Sequence, residues 1–134
     1  MAVGVLAILL AAHDRSHAVE WRDVSARAGP VMTSDLTRRL FRSPEQFKEF
    51  FGSDAQAPVD FSTQQLLLVS PGPRSSTGYS LEILSVTERG DTITVEVRER
   101  TPTLAEHVEP RVTYPYRLLS LPGGKTVYVD WAGR

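Results

Sequence analysis

The hydrophobic positions of the chain change period near its middle. From Asp60 onward they follow strand patterns, and upstream, over residues 44–51, a helical spacing. Gln64–Ser70, QQLLLVS, is apolar on both faces, which suits a strand covered on both sides. Tyr79-Ser80-Leu81-Glu82-Ile83 alternates, and the pattern runs on to Val86. ERGD, residues 88–91, predicts a turn with Gly90-Asp91 as a short hairpin connection. Thr92–Arg100 alternates again, with Ile93, Val95 and Val97 on the inward face, until Pro102 breaks it. VTYPYRLLSL, residues 112–121, predicts a further strand. Pro115 interrupts it and has no amide to donate, which places this strand at an edge or a bulge. PGGK, residues 122–125, turns the chain. Thr126–Trp131 closes it, with Val127, Val129 and Trp131 on one face.

Upstream, residues 38–43, RRLFRS, have room for a short strand, and a helix start follows. Ser43 is an N-cap, Pro44 takes the first helical position, Glu45 complements the helix dipole, and Gln46 stands three after the cap. Phe47, Phe50 and Phe51 share one face, and Gly52 is a terminator. This predicts a helix over Pro44–Phe51 with its phenylalanines packed on the domain's own sheet. Strands that follow one another through short turns predict a mainly β domain. The expected form is a mostly antiparallel sheet curled into a sandwich or small barrel, with the short amphipathic helix packed at one end.

The first residues follow a different logic. Residues 2–12, AVGVLAILLAA, are an uninterrupted apolar run too short to span a bilayer. A polar stretch follows, and Ser16-His17-Ala18 has the small residues of a cut after Ala18. Residues 1–18 therefore read as a signal peptide without a positive n-region, and the expected compartment is secreted or periplasmic and envelope-associated. Residues 19–131 form a single domain, with 19–59 a strand-helix lead-in and 60–131 the β region.

Composition removes several classes. The 134 residues suffice for one domain, and 41% hydrophobic with 23% charged is ordinary for a folded protein. A net charge of −1 provides no long-range attraction for nucleic acid or an anionic membrane. Without cysteine there is no disulfide, thiolate nucleophile or lipid-anchored cysteine. His13 and His17 would leave with the signal, so His107 alone cannot build a multi-histidine metal site. No serine lies in a nucleophile-elbow context, and LPGGKT lacks the first glycine of a phosphate loop. Catalytic, cofactor and metal residues are therefore expected to be none. A small hydrolase using His107 with a carboxylate is kept as a remote alternative.

What remains is the loop ahead of the alternating strand. Pro71 and Pro73 stiffen it, Gly78 permits a positive φ or a close backbone approach, and Tyr79 is a residue type enriched at interfaces. Arg74, Ser75, Ser76, Thr77, Gly78 and Tyr79 are the candidate partner-binding residues, with residues 74–77 expected to be exposed at one end of the domain. Tyr79 also fits the alternative of a first inward strand residue, in phase with Leu81 and Ile83.

Three stretches in order carry a family resemblance: VDFSTQQLLLVSPGPRSSTGYSLEI (59–83), ITVEVRERTP (93–102) and VTYPYRLLSLP (112–122). Together they resemble the C-terminal domain of the PrcB family, named for a subunit of a secreted protease complex, and LFRSPEQFKEFF resembles its strand-helix lead-in. The resemblance implies an exported accessory protein that supports or stabilises a protease and supplies no catalytic residues. Many members are anchored through an N-terminal cysteine, which this chain lacks, so no stable membrane anchor is expected. A second resemblance joins SSTGYSL (75–81) to a loop of the chagasin-like inhibitors of cysteine peptidases. It implies a protease inhibitor using Thr77-Gly78-Tyr79, although the family's Asn-Pro lead and its Arg-Pro-Trp loop are missing.

Overall fold

The computed structural model describes residues 15–133. Two four-stranded sheets face each other as a sandwich, and no barrel closes. The first sheet, A, has the order β1 (His17–Ala18), β5 (Ser80–Arg89), β6 (Thr92–Arg100), β8 (Thr126–Trp131). The second, B, has the order β2 (Arg22–Asp23), β7 (Arg117–Pro122), β4 (Gln64–Ser70), β3 (Thr37–Phe41). The antiparallel expectation holds for every pair except β6 and β8, which run parallel. The reason is topological. β7 lies in the other sheet, so the chain crosses over and back before returning beside β6.

The two-faced pattern of β4 becomes a three-layer core. Leu67 and Val69 point between the sheets, with Leu81, Val86, Ile93, Val95, Val97, Leu119, Leu121 and Val127. Leu66 and Leu68 point the other way, to Phe41, Phe47, Val24, Val31 and Leu118. The helix α1 (Pro44–Phe51) covers this outer face of sheet B. Its N-cap forms as expected, with the Gln46 amide donating to Ser43 Oγ at 3.2 Å, and Gly52 ends it. The Phe47 ring stacks on Phe51 at 4.4 Å and meets Phe41 edge-on at 5.7 Å. The phenylalanine face thus belongs to the fold.

Each end of the inner layer closes with charge. Glu99 continues the inward phase of β6, and Glu88 that of β5. Arg74 grips Glu99 with two hydrogen bonds, Nε–Oε2 at 2.5 Å and Nη2–Oε1 at 2.8 Å. At the opposite end Lys125 Nζ lies 2.7 Å from Glu88 Oε1. This contact holds the Glu88 carboxyl below its ordinary pKa. Two arginines on the inner face of sheet B reach across to carbonyls of sheet A, one on the part of β5 that two-residue β1 does not cover and one on the edge strand β8. Arg117 Nε donates to Leu81 O at 2.8 Å on β5, and Arg38 Nη2 donates to Val127 O on β8. A guanidinium seated on an edge carbonyl obstructs pairing with another chain, a liability of open sheet edges.

Two expectations are corrected. The strand expected over 112–121 begins only at Arg117, and it is central, between β2 and β4, rather than at an edge. Pro115 lies before the strand, so its missing amide leaves no gap in the ladder; its carbonyl accepts from Ser70 Oγ at 2.9 Å. Nor are all connections short, since residues 101–116 form a long strap from sheet A to sheet B. Residues 17–18, assigned to the signal peptide, pair with Glu88 and Thr87 of β5. A cut after Ala18 would therefore fall directly behind β1. Residues 1–14, with the apolar run, lie outside the described residues.

Candidate partner interface at the loop end

The connections gather by direction at one end of the sandwich. There β4 ends and β5 begins, joined by residues 71–79, and β6 ends and β7 begins, joined by the strap. The segment leading into β3 arrives at the same end, because Thr37 pairs with Ser70.

Polar ties lock these three segments to one another. Buried Ser70 is the hub. Its hydroxyl lies 2.7 Å from Thr33 Oγ1, donates to Pro115 O, and accepts from the Gly72 amide at 3.1 Å. Gly72 has φ +90°, and a Cβ there would meet the Asp35 backbone at 3.0 Å. Only glycine allows that approach without displacement. Arg74 and Thr113 then exchange backbone hydrogen bonds of 2.8 and 2.9 Å, and Thr113 Oγ1 donates to Ser76 O at 2.8 Å. Thr77 holds Glu109 twice, its amide donating to Glu109 O at 3.0 Å and its Oγ1 accepting from the Glu109 amide at 2.9 Å. Gly78 has φ +100°, with Val108 Cγ1 2.8 Å and Pro102 Cβ 3.0 Å from where a Cβ would stand. Arg100 reaches back to Gly78 O at 3.1 Å and pairs with Glu106.

The candidate residues therefore lie together, but not as a free loop. Ser75 is exposed, whereas Arg74, Ser76, Thr77, Gly78 and Tyr79 are half-buried. Tyr79 is the residue before β5 and lies outside both core clusters; its ring sits 6.0 Å from the Arg74 guanidinium carbon. Glu99 anchors that guanidinium and raises the Arg74 pKa further. Contacts with the strap add to the stiffness expected from Pro71 and Pro73.

The strap supplies the more prominent surface. Among the described residues, the large apolar side chains exposed to solvent are Met32, Leu36, Leu84, Leu104, Val112 and Tyr128. Met32 and Leu36 flank the Thr33 and Asp35 contacts, and Leu104 and Val112 lie on the strap. All four belong to the segments that converge at the loop end. The sequence signal was a lone leucine between Thr103 and Ala105 in a proline-bounded polar stretch. A lone apolar residue has no period, so pattern reading passes over it.

His107 is exposed on the strap. Among the described residues no group of three or more His, Asp or Glu is placed to hold a metal ion, and no helix is long and apolar enough to cross a membrane. One open cleft, of about 420 Å³, runs along Trp21, Gln64 and Ser120.

No curated protein and no solved structure matches the chain. A family model does, over a segment that takes in most of β4, all of β5, β6 and β7, and both interlocked loops. Residues 66–122 match the model described as PrcB C-terminal, the family that the sequence resembles.

Proposed function

We propose that this protein is an exported, non-catalytic accessory subunit that docks on a protease and stabilises it. The observation that carries this reading is the PrcB C-terminal match, whose span includes residues 71–79 and the strap. The geometry gives the docking a physical basis. The segments at the loop end are braced before any partner arrives, so little conformational entropy remains to be lost on association. They also leave Met32, Leu36, Leu104 and Val112 in water. Moving one such side chain from water to a protein surface contributes up to ~1.5–3 kcal/mol. Ser75 is exposed on the segment that pairs with Thr113, next to Val112, and forms part of the contact, with the half-buried Arg74 and residues 76–79 as its foundation.

Ser75→Glu is the test. The site is exposed, so the melting temperature should stay within the scatter of surface substitutions, about ±0.5 kcal/mol in stability. Binding to the native protease, measured by co-purification of proteolytic activity with the tagged chain, should fall, because the contact would bury an unpaired carboxylate. Tagged wild-type chain that brings down no proteolytic activity from its native exported fraction would overturn the proposal.

A further inference from the structure

The strap carries one residue whose placement has no structural use. Leu104 is fully exposed, the most exposed of the large apolar residues described. It occupies the tip of a β-turn closed by the Glu106 amide donating to Thr103 O at 3.1 Å. The Glu106 carboxylate accepts from the Thr103 amide at 3.4 Å and is itself gripped by Arg100 of β6. Pro102 leads into the turn and packs on Gly78. A loose loop would let a leucine fold back; this one is held outward by a ring of hydrogen bonds anchored in the sheet.

We infer that Leu104 is the anchor of the interface, a knob that enters an apolar pocket on the partner protease outside its substrate cleft. The inference rests on the protease reading above. The turn decides where the knob goes. A segment lying in a protease cleft is extended, and its backbone groups pair with the cleft as an added strand would. Here the Thr103 carbonyl and amide are already taken by Glu106, and Leu104 and Ala105 are curled within the turn. The Thr77-Gly78-Tyr79 element is likewise half-buried against Pro102 and Val108. Neither segment offers the free extended backbone of a substrate mimic. A convex leucine with small neighbours, Thr103 and Ala105, fits a concave pocket instead, and the occupied protease keeps its active site open.

The test uses the full chain with a photo-cross-linking amino acid at position 104 and, as a control on sheet A, at position 128. Both are irradiated in the native exported fraction. The expected result is a cross-link from position 104, and not from 128, to a protease. Leu104→Asp should melt like the parent yet bind that protease at least tenfold more weakly. The wild-type complex should cleave a short chromogenic peptide at the rate of the free protease. A protease captured with unchanged affinity for Leu104→Asp overturns this inference and leaves the accessory reading standing, whereas one silenced toward the short peptide in the complex overturns both. Cross-linking at 104 to a second copy of this chain, or to no protease, overturns this inference alone if tagged wild-type chain still brings down proteolytic activity, and both if it brings down none.

Discussion

Replacing Phe47 with alanine tests whether the aromatic face of α1 is core or contact surface. Phe47 is only 2% exposed. Its ring stacks on Phe51 and meets Phe41 edge-on, between the helix and the outer face of sheet B. Truncating a fully buried phenylalanine costs ~3–5 kcal/mol, the lost transfer energy plus the cavity left behind. Two aromatic contacts disappear as well, each about 0.5–1.5 kcal/mol, and these fall largely within the same range. Against a total stability of about 5–15 kcal/mol the variant should be severely weakened but still folded in the cold. With a urea slope of about 1–3 kcal/mol per molar, the midpoint should drop by roughly 2 M at an unchanged slope. Phe50→Ala, half-buried at the rim, should lose less. Equilibrium urea unfolding followed by tryptophan fluorescence reads both. A loss below ~1 kcal/mol for Phe47→Ala would place this face outside the core and return it to the list of partner surfaces.

Three further outcomes follow from the loop end. Gly78→Ala forces a Cβ to within 2.8 Å of Val108 Cγ1 at φ +100°, and should cost ~1–3 kcal/mol in a thermal melt; a neutral effect would mean the two segments are not packed together. Glu99→Gln removes the charge from the paired hydrogen bonds to Arg74 and should destabilise by ~1–3 kcal/mol, read by the same melt, with Arg74→Ala adding little on top if the pair acts as a unit. The hydrogen bond from Arg100, with a smaller one from the Thr103 amide, holds the Glu106 carboxyl below its ordinary pKa. A depressed folded pKa stabilises above the unfolded value and loses that contribution as pH falls through the folded one. The turn at Leu104 should thus stay closed at neutral pH and loosen only below the ordinary carboxylate range. An NMR titration of Glu106 should show a low midpoint that Arg100→Ala raises, and an ordinary midpoint in the parent would contradict the bracing.

How much of this was legible in the sequence depends on the range of the forces involved. The helix at Pro44–Phe51, its cap and its terminator follow from neighbours within a few residues, and so does the Gly90-Asp91 hairpin. β4 announced its two covered faces through Leu66–Leu67–Leu68. The parallel pairing of β6 with β8 was hidden, because alternation marks a strand and its faces but not its partner. Pro115 misled for a related reason. A proline within an apolar run reads as an interruption, while the structure simply starts the strand after it at Arg117. At the candidate site, the prolines, Gly78 and Tyr79 drew attention to residues 71–79. What the loop is tied to rests on contacts across 25 to 37 positions, such as Arg74 with Glu99 and Ser76 with Thr113, which no local pattern contains. Glu99 did leave a trace, as a carboxylate in the inward phase of β6, where a buried charge demands a partner.

The central claim is that the chain supports a protease rather than cutting or blocking one. The most direct measurement is the decay of the purified partner protease's activity on a short peptide, with and without a stoichiometric amount of this protein. With the chain present the initial rate should be unchanged and the half-life longer, with the extension lost for Leu104→Asp. An initial rate that falls in proportion to added chain, or a half-life indifferent to it, would contradict the account.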